Sequence, residues 1–215
     1  DAARFVNARL IPATLNNPFY FVCTLQSTGI EVPQYLNQKE ADKLFPFFTK
    51  TSLTKPRKNN VVIIILESFS KEYTGYFNNG KGYTLFLDSL MKHGLTCTHA
   101  YANGTRSIDG IPAILSGIPC LNETPFLNSD YQSNAIGSIG YYLGKIGYDC
   151  GFYHGAHNGT MGFDNYIAIS NGGKYFGFNE YQGKPDDYDH AWGIYDEPYL
   201  QYFARELRLK KEPFF

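Results

Sequence analysis

Residues 60–67, Asn-Val-Val-Ile-Ile-Ile-Leu-Glu, constrain this chain more than any other stretch. Six consecutive apolar residues, mostly β-branched and introduced by Lys58-Asn59-Asn60, read as a strand buried on both faces at the centre of a parallel sheet. Glu67 then stands at the carboxyl end of that strand. Open α/β sheets form their ligand crevice outside those ends, so a glutamate there suits metal or substrate chemistry. It could equally cap the next turn, and the run alone does not choose between the two.

Composition excludes more than it assigns. The 215 residues suffice for one large domain with a substantial core. With 19 basic and 20 acidic residues the net charge is −1, so no global field points to nucleic acid or to an anionic membrane surface. The four cysteines, Cys23, Cys97, Cys120 and Cys150, are too widely spaced for a zinc motif. No stretch reaches the roughly 18 apolar residues of a membrane helix. Eighteen tyrosines and 17 phenylalanines against one tryptophan favour large cores or partly wet clefts. The opening at Asp1 and the close on Glu212-Pro213-Phe214-Phe215 read as a piece of something longer.

Strand and helix signals alternate along the chain. Residues 1–57 read as a lead-in, with a helix begun by Asn17-Pro18 and an exposed connector over 43–59. After the first strand, Ser68–Gly82 reads as a polar loop, Thr84 and Gly94 delimit a helix, and residues 95–102 alternate as a second strand. Asn103-Gly104-Thr105-Arg106-Ser107 then delivers hydroxyls to a helix start, where free amides and the helix dipole favour an anion. Ser107 beside Arg106 is therefore a candidate nucleophile or phosphate site, with an ordinary N-cap as the bland alternative. Residues 117–133 read as an irregular excursion, and Ala135–Gly147 as an amphipathic helix. Tyr148–His154 reads as a third strand whose end presents His154 and His157, either to a crevice or to hydrogen bonds within a loop. Phe163–Tyr188 reads as a long surface loop with a short helical turn. A helix starting near Pro198 carries Leu200, Phe203, Ala204 and Leu207, and Phe214-Phe215 opens another strand. The pattern predicts an α/β fold, a doubly wound and mostly parallel sheet with helices on both faces.

Three landmarks in order, LESFS at 66–70, NGTRSIDGIPAILSGIP at 103–119 and FYHGAHNGTMGFD at 152–164 continuing to AWGIYDEPYL at 191–200, resemble the extracellular catalytic domain of the lipoteichoic acid synthase family. These are sulfatase-like phosphoglycerol transferases of the alkaline phosphatase superfamily, and the resemblance covers residues 58–215. It implies that Glu67 and the Ser107 hydroxyl bind one divalent metal and that Ser107 attacks a phosphodiester. Arg106 matches the basic residue the family places before its nucleophile; Thr105 is the rival hydroxyl. His154 matches a pocket histidine in an HG motif. The chain departs from the lipoteichoic acid enzymes at Ala156, Met161 and Phe163, where they carry aspartate, tryptophan and arginine. The family's Asp-His metal pair finds no counterpart in these residues, and Asp189-His190 lies in the wrong place for it.

Hard divalent cations favour oxygen ligands, so Mn²⁺ or Mg²⁺ is expected, with Zn²⁺ as the alternative. His157, Asn158 and Trp192 are the further substrate-binding candidates, and Asp109 a weaker one. The resemblance implies a lipid-linked phosphodiester donor, a glycan or lipid acceptor, and a domain outside the bacterial cytoplasmic membrane held by a preceding transmembrane region. Residues 1–57 would lead in from that region, and 58–215 would form the N-terminal part of the catalytic domain. Two other readings stand beside the transferase: a non-catalytic or binding remnant with an incomplete metal site, and a sulfatase-like phosphodiesterase. Sulfate-ester hydrolysis itself is disfavoured, because Ser107-Ile108-Asp109-Gly110-Ile111 lacks the Cys/Ser-x-Pro-x-Arg pattern.

Overall fold

The computed structural model describes residues 17–25, 35–45, 57–121 and 123–215. Much of the expected lead-in and connector, residues 1–16, 26–34 and 46–56, lies outside them. Helix α1 (Asn17–Thr24) starts where Asn17-Pro18 predicts. A second short helix, α2 (Gln38–Leu44), is closed by a reciprocal cap in which Asn37 Oδ1 accepts the Glu40 amide at 3.0 Å. Helices α3 (Leu85–His93) and α4 (Ser107–Ser116) follow the central run. Then come α5 (Ile139–Lys145), β1 (Gly151–Tyr153), α6 (Phe163–Ile169), β2 (Lys174–Phe176) and α7 (Asp196–Leu209).

Strand β1, helix α6 and strand β2 form a parallel βαβ unit, with Gly151 opposite Lys174 and Tyr153 opposite Phe176. Parallel neighbours need such a crossover, and α6 supplies it. Backbone bonds extend the array on the other side of β1. Gly151 donates to Phe215 O at 2.9 Å and Phe215 donates to Asp149 O at 3.1 Å; beyond them Val61 donates to Phe214 O at 2.9 Å. The central run, the final residues, β1 and β2 thus lie side by side, as an α/β fold requires.

Two apolar clusters hold this array. One joins α4 and α6 through Ile111, Leu115, Leu127, Phe163, Tyr166 and Ile167. Burying a side chain such as Ile167, 1% exposed, is worth about 2 kcal/mol. The other gathers Phe176, Ile194, Tyr199 and Tyr202 beneath the sheet. Here the tyrosine-rich composition finds its use, since the rings of Tyr199 and Tyr202 fill the core while their hydroxyls are satisfied, although the buried Tyr153 hydroxyl packed beside them has no hydrogen-bond partner among the described residues. Tyr199 donates to Phe176 O at 2.7 Å and Tyr202 to Glu180 O at 3.1 Å. Lys210, nearly buried, pairs with Asp149 at 2.9 Å. Burial alone would raise the Asp149 pKa, but the Lys210 bond and charge prevail and hold it below the ordinary carboxylate value.

The structure corrects the sequence reading in four places. Residues 61–66 form no regular strand and are 39–61% exposed. Among the described residues the backbone bond from Val61 to Phe214 O joins them to the array, and a strand is buried on both faces only when neighbours and helices cover it. Residues 95–102 form no strand. Thr96 instead turns its hydroxyl to Met91 O at 2.9 Å, and Thr98 pairs with His99 at 3.0 Å, local bonds that compete with a ladder. The expected loop 163–188 contains α6 and β2. Finally, α7 buries Tyr199 and Tyr202, while Leu200 is exposed.

Candidate nucleophile site and substrate loops

Helix α4 places the candidate nucleophile. Arg106, extended at φ −130° and ψ 152°, is the N-cap, so Ser107 is the first helical residue and makes no capping bond. Gly104 allows the turn to lie directly on the Asp109 side chain, where an added Cβ would collide. The guanidinium of Arg106 donates to Asp109 Oδ2 at 3.1 Å and to Glu123 O at 3.4 Å. Asn103 Oδ1 accepts the Cys120 amide at 2.9 Å, tying the turn to the chain beyond the helix. Ser107, half-buried, turns its hydroxyl to Met161 Sδ at 3.5 Å, a weak acceptor that leaves the oxygen lone pairs available.

Met161 itself is held at φ 54°, between Gly159 and Gly162 at φ 89° and 71°. A side chain at that angle is strained, and such strain gathers at functional sites. The sequence offered one signal for it, a methionine spaced by glycines in a loop leaving a strand. A second non-glycine residue in the left-handed region is Ser68, at φ 54°, immediately after Glu67. Ser68 donates to Glu67 Oε1 at 2.9 Å, and Glu67 is otherwise exposed to solvent.

The substrate-binding candidates occupy two loops clasped together. Ala156 bridges Gly193, and the Ile194 amide donates to Gly155 O at 2.8 Å. Gly193 is required there, since a Cβ would run into the Gly155 carbonyl. In the first loop His154 meets Tyr175 OH at 3.2 Å through Nδ1, with Phe163 across its ring. Burial lowers its pKa, which favours the neutral imidazole. His157 meets Tyr188 OH at 3.1 Å through Nε2 and packs on Phe178. Asn158 donates to Glu180 at 3.1 Å and accepts the Asn179 amide at 3.1 Å. In the second loop Asp189 Oδ1 accepts the amides of Ala191, Trp192 and Gly193 at 2.8, 2.8 and 2.9 Å. These bonds, that of Ala191 first, lower the Asp189 pKa and hold Trp192, a residue 74% exposed. Sequence reasoning passed over Tyr175, Tyr188 and Glu180, because each lies in the polar stretch that gave no periodic signal.

Met161 therefore links Ser107 to the His154–Asn158 loop, and the clasp adds Trp192. No hydrogen bond among the described residues joins Glu67 to Ser107. Among the described residues no group of three His, Cys, Asp or Glu is arranged to hold a metal ion. Glu67 and Ser107 offer two oxygen donors, which fit a hard cation in kind.

The sulfatase family's sequence profile matches residues 59–215. A lipoteichoic acid synthase-like protein of Bacillus subtilis (strain 168), YvgJ, is 26% identical over 183 residues, which make up 83% of this chain and 29% of that protein. A crystal structure of a protein in the alkaline phosphatase superfamily from Vibrio parahaemolyticus superposes with a TM-score of 0.62 at 27% identity, covering 75% of this chain and 40% of that one. The chain spans under half the length of either protein. It belongs to the sulfatase family, within the alkaline phosphatase superfamily, and is similar to its lipoteichoic acid synthase-like members.

Proposed function

We propose that this chain is part of a metal-dependent transferase that moves a phosphoglycerol-type or phosphoethanolamine-type group from a lipid donor to a cell-envelope acceptor, through a covalent intermediate on Ser107. The observation that carries this reading is the Ser107 hydroxyl, presented at the first position of α4 with Met161 Sδ as its one partner among the described residues. The superfamily is one of enzymes and generally uses divalent metals, which supports the same chemistry.

In the first step Ser107 Oγ forms a bond to the donor's phosphorus. The bond from phosphorus to the lipid alcohol breaks, and that alcohol leaves with the serine's proton. In the second step an acceptor hydroxyl attacks the phosphoseryl diester, the bond to Oγ breaks, and Ser107 regains a proton. Arg106 and the free amides of the first turn of α4 stabilise the phosphate oxygens in both steps. His154 and His157, with Asn158 and Trp192, hold the head group. Glu67 and Ser107 would hold a divalent cation, Mn²⁺ or Mg²⁺ before Zn²⁺, which would supply phosphate neutralisation and a more acidic serine hydroxyl. The reading places the domain on the extracytoplasmic side of a bacterial membrane, beyond a transmembrane region that precedes it. Among the described residues no helix is long and apolar enough to cross a membrane.

Calorimetric titration of the chain with Mn²⁺, Mg²⁺ and Zn²⁺ tests the cation's place. Mn²⁺ binding weakened by about tenfold or more in Glu67→Ala is the expected result. Binding unchanged by the substitution sinks the assignment of Glu67.

A further inference from the structure

A neutral imidazole has one nitrogen that donates and one that accepts, so the partner of one nitrogen decides what the other offers a ligand. His154 directly follows β1, and its amide donates to Phe176 O at 2.9 Å, so the strand alternation continues through it. Phe152 and His154 therefore share one face. Tyr175, opposite Phe152 in the register, lies on that face too. Its ring is stacked on Phe152 with centroids 5.8 Å apart. Gly177 leaves that ring room, since a Cβ there would stand 2.6 Å from Tyr175 Cε1. These contacts bring the phenol to His154 Nδ1, 3.2 Å away.

The direction of that bond follows from where the protons can go. Burial raises the Tyr175 pKa, and the charges of Asp164 and Glu180 add to the effect, so the phenol keeps its proton. Among the described residues that proton has Nδ1 as its acceptor. Burial also keeps the His154 ring neutral. Were the ring proton on Nδ1, it would donate to the phenol oxygen and leave the phenol hydrogen without an acceptor there. With the ring proton on Nε2, the phenol donates to Nδ1 and both groups are satisfied. Nε2 itself meets no partner among the described residues, and unlike the Tyr153 hydroxyl it is not sealed from solvent.

We propose that Tyr175 is a positioning residue that holds His154 as the Nε2–H tautomer, so that His154 offers the head group a hydrogen-bond donor rather than a base or a metal-binding lone pair. The proposal rests on the assignment of His154 to head-group binding and deepens it. The ligand atom that meets Nε2 must be an acceptor, which a phosphate or hydroxyl oxygen is and an ammonium nitrogen is not.

The test labels the histidine rings isotopically and reads, from long-range proton–nitrogen correlation spectra at neutral pH, which ring nitrogen is protonated. It needs no cation, donor or turnover. The expected result is a His154 ring protonated on Nε2, with Nδ1 unprotonated and hydrogen-bonded. Tyr175→Phe keeps the ring that stacks on Phe152. It is expected to move the Nδ1 resonance to that of an unbonded nitrogen, while the resonances of His157, held instead by Tyr188, stay in place. Glycerol phosphate is expected to shift Nε2 saturably, with binding weaker by about three- to tenfold in Tyr175→Phe. A wild-type ring protonated on Nδ1, or an Nδ1 resonance that Tyr175→Phe leaves where it was, overturns the proposal. An Nε2 resonance that glycerol phosphate does not move overturns the donor role and the head-group assignment together. Failure of Ser107 to take up the transferred group would leave the tautomer result standing, so the two readings fail separately.

Discussion

The run 60–67 and the segment 148–215 show how differently one chain can treat its apolar residues. The run is the most hydrophobic stretch of the sequence, yet Ile64 is 61% exposed. The later segment is polar and glycine-rich, yet it buries Ile167 to 1% and packs Tyr153 flat on Phe176 at 4.4 Å. Burial follows from partners rather than from composition. Residues 148–215 close a βαβ unit on themselves, whereas residues 61–66 are tied to the array, among the described residues, by the backbone bond from Val61 to Phe214 O. Local stability should therefore concentrate in the later segment.

Matched substitutions sharpen that contrast. Ile167→Ala leaves a cavity between α4 and α6 and should lower stability by about 3 kcal/mol in denaturant unfolding. A loss below about 1 kcal/mol would mean that the α4–α6 core is far looser than its packing implies. Tyr199→Phe removes the donor to Phe176 O inside the second cluster, and the same assay should register a loss of about 1 kcal/mol.

Acidification probes the same segment through His154. Its pKa lies below the ordinary 6.5 because burial disfavours the charged ring, so the folded state binds fewer protons than the unfolded one. Stability is then whole above about pH 6.5 and falls as the pH drops through and below that value. His154→Gln should flatten that fall, and an unaltered pH profile would show that the ring is not buried in solution. The smallest effect is expected from Ile64→Ala. Truncating this exposed side chain should change stability by less than about 0.5 kcal/mol, and a loss close to that of Ile167→Ala would break the comparison.

Much of the candidate site could be proposed from the sequence because its residues sit beside strong local signals. Arg106-Ser107 follows a glycine turn at a helix start, and Glu67 ends a conspicuous apolar run; both positions could be read without knowing any contact. Helices α3, α4 and α7 were legible for the same reason, through Thr84 and Gly94, the turn at 103–106, and Pro198. Strand β2 was not, because three residues flanked by Gly173 and Gly177 are too few to establish a period. Met161 escaped because its role depends on a left-handed backbone and on a contact 54 residues away in sequence. The exposure of 61–66 could not be read either, since periodicity reports what a segment could bury and not which neighbours it meets.

The central claim is that Ser107 accepts the transferred group. Its most direct test is peptide mass spectrometry of the protein after incubation with a lipid phosphodiester donor and Mn²⁺, quenched before an acceptor is added. The account predicts a peptide carrying the phosphoglycerol or phosphoethanolamine group on Ser107, absent from Ser107→Ala. An adduct on Thr105, or one that survives Ser107→Ala, would contradict it.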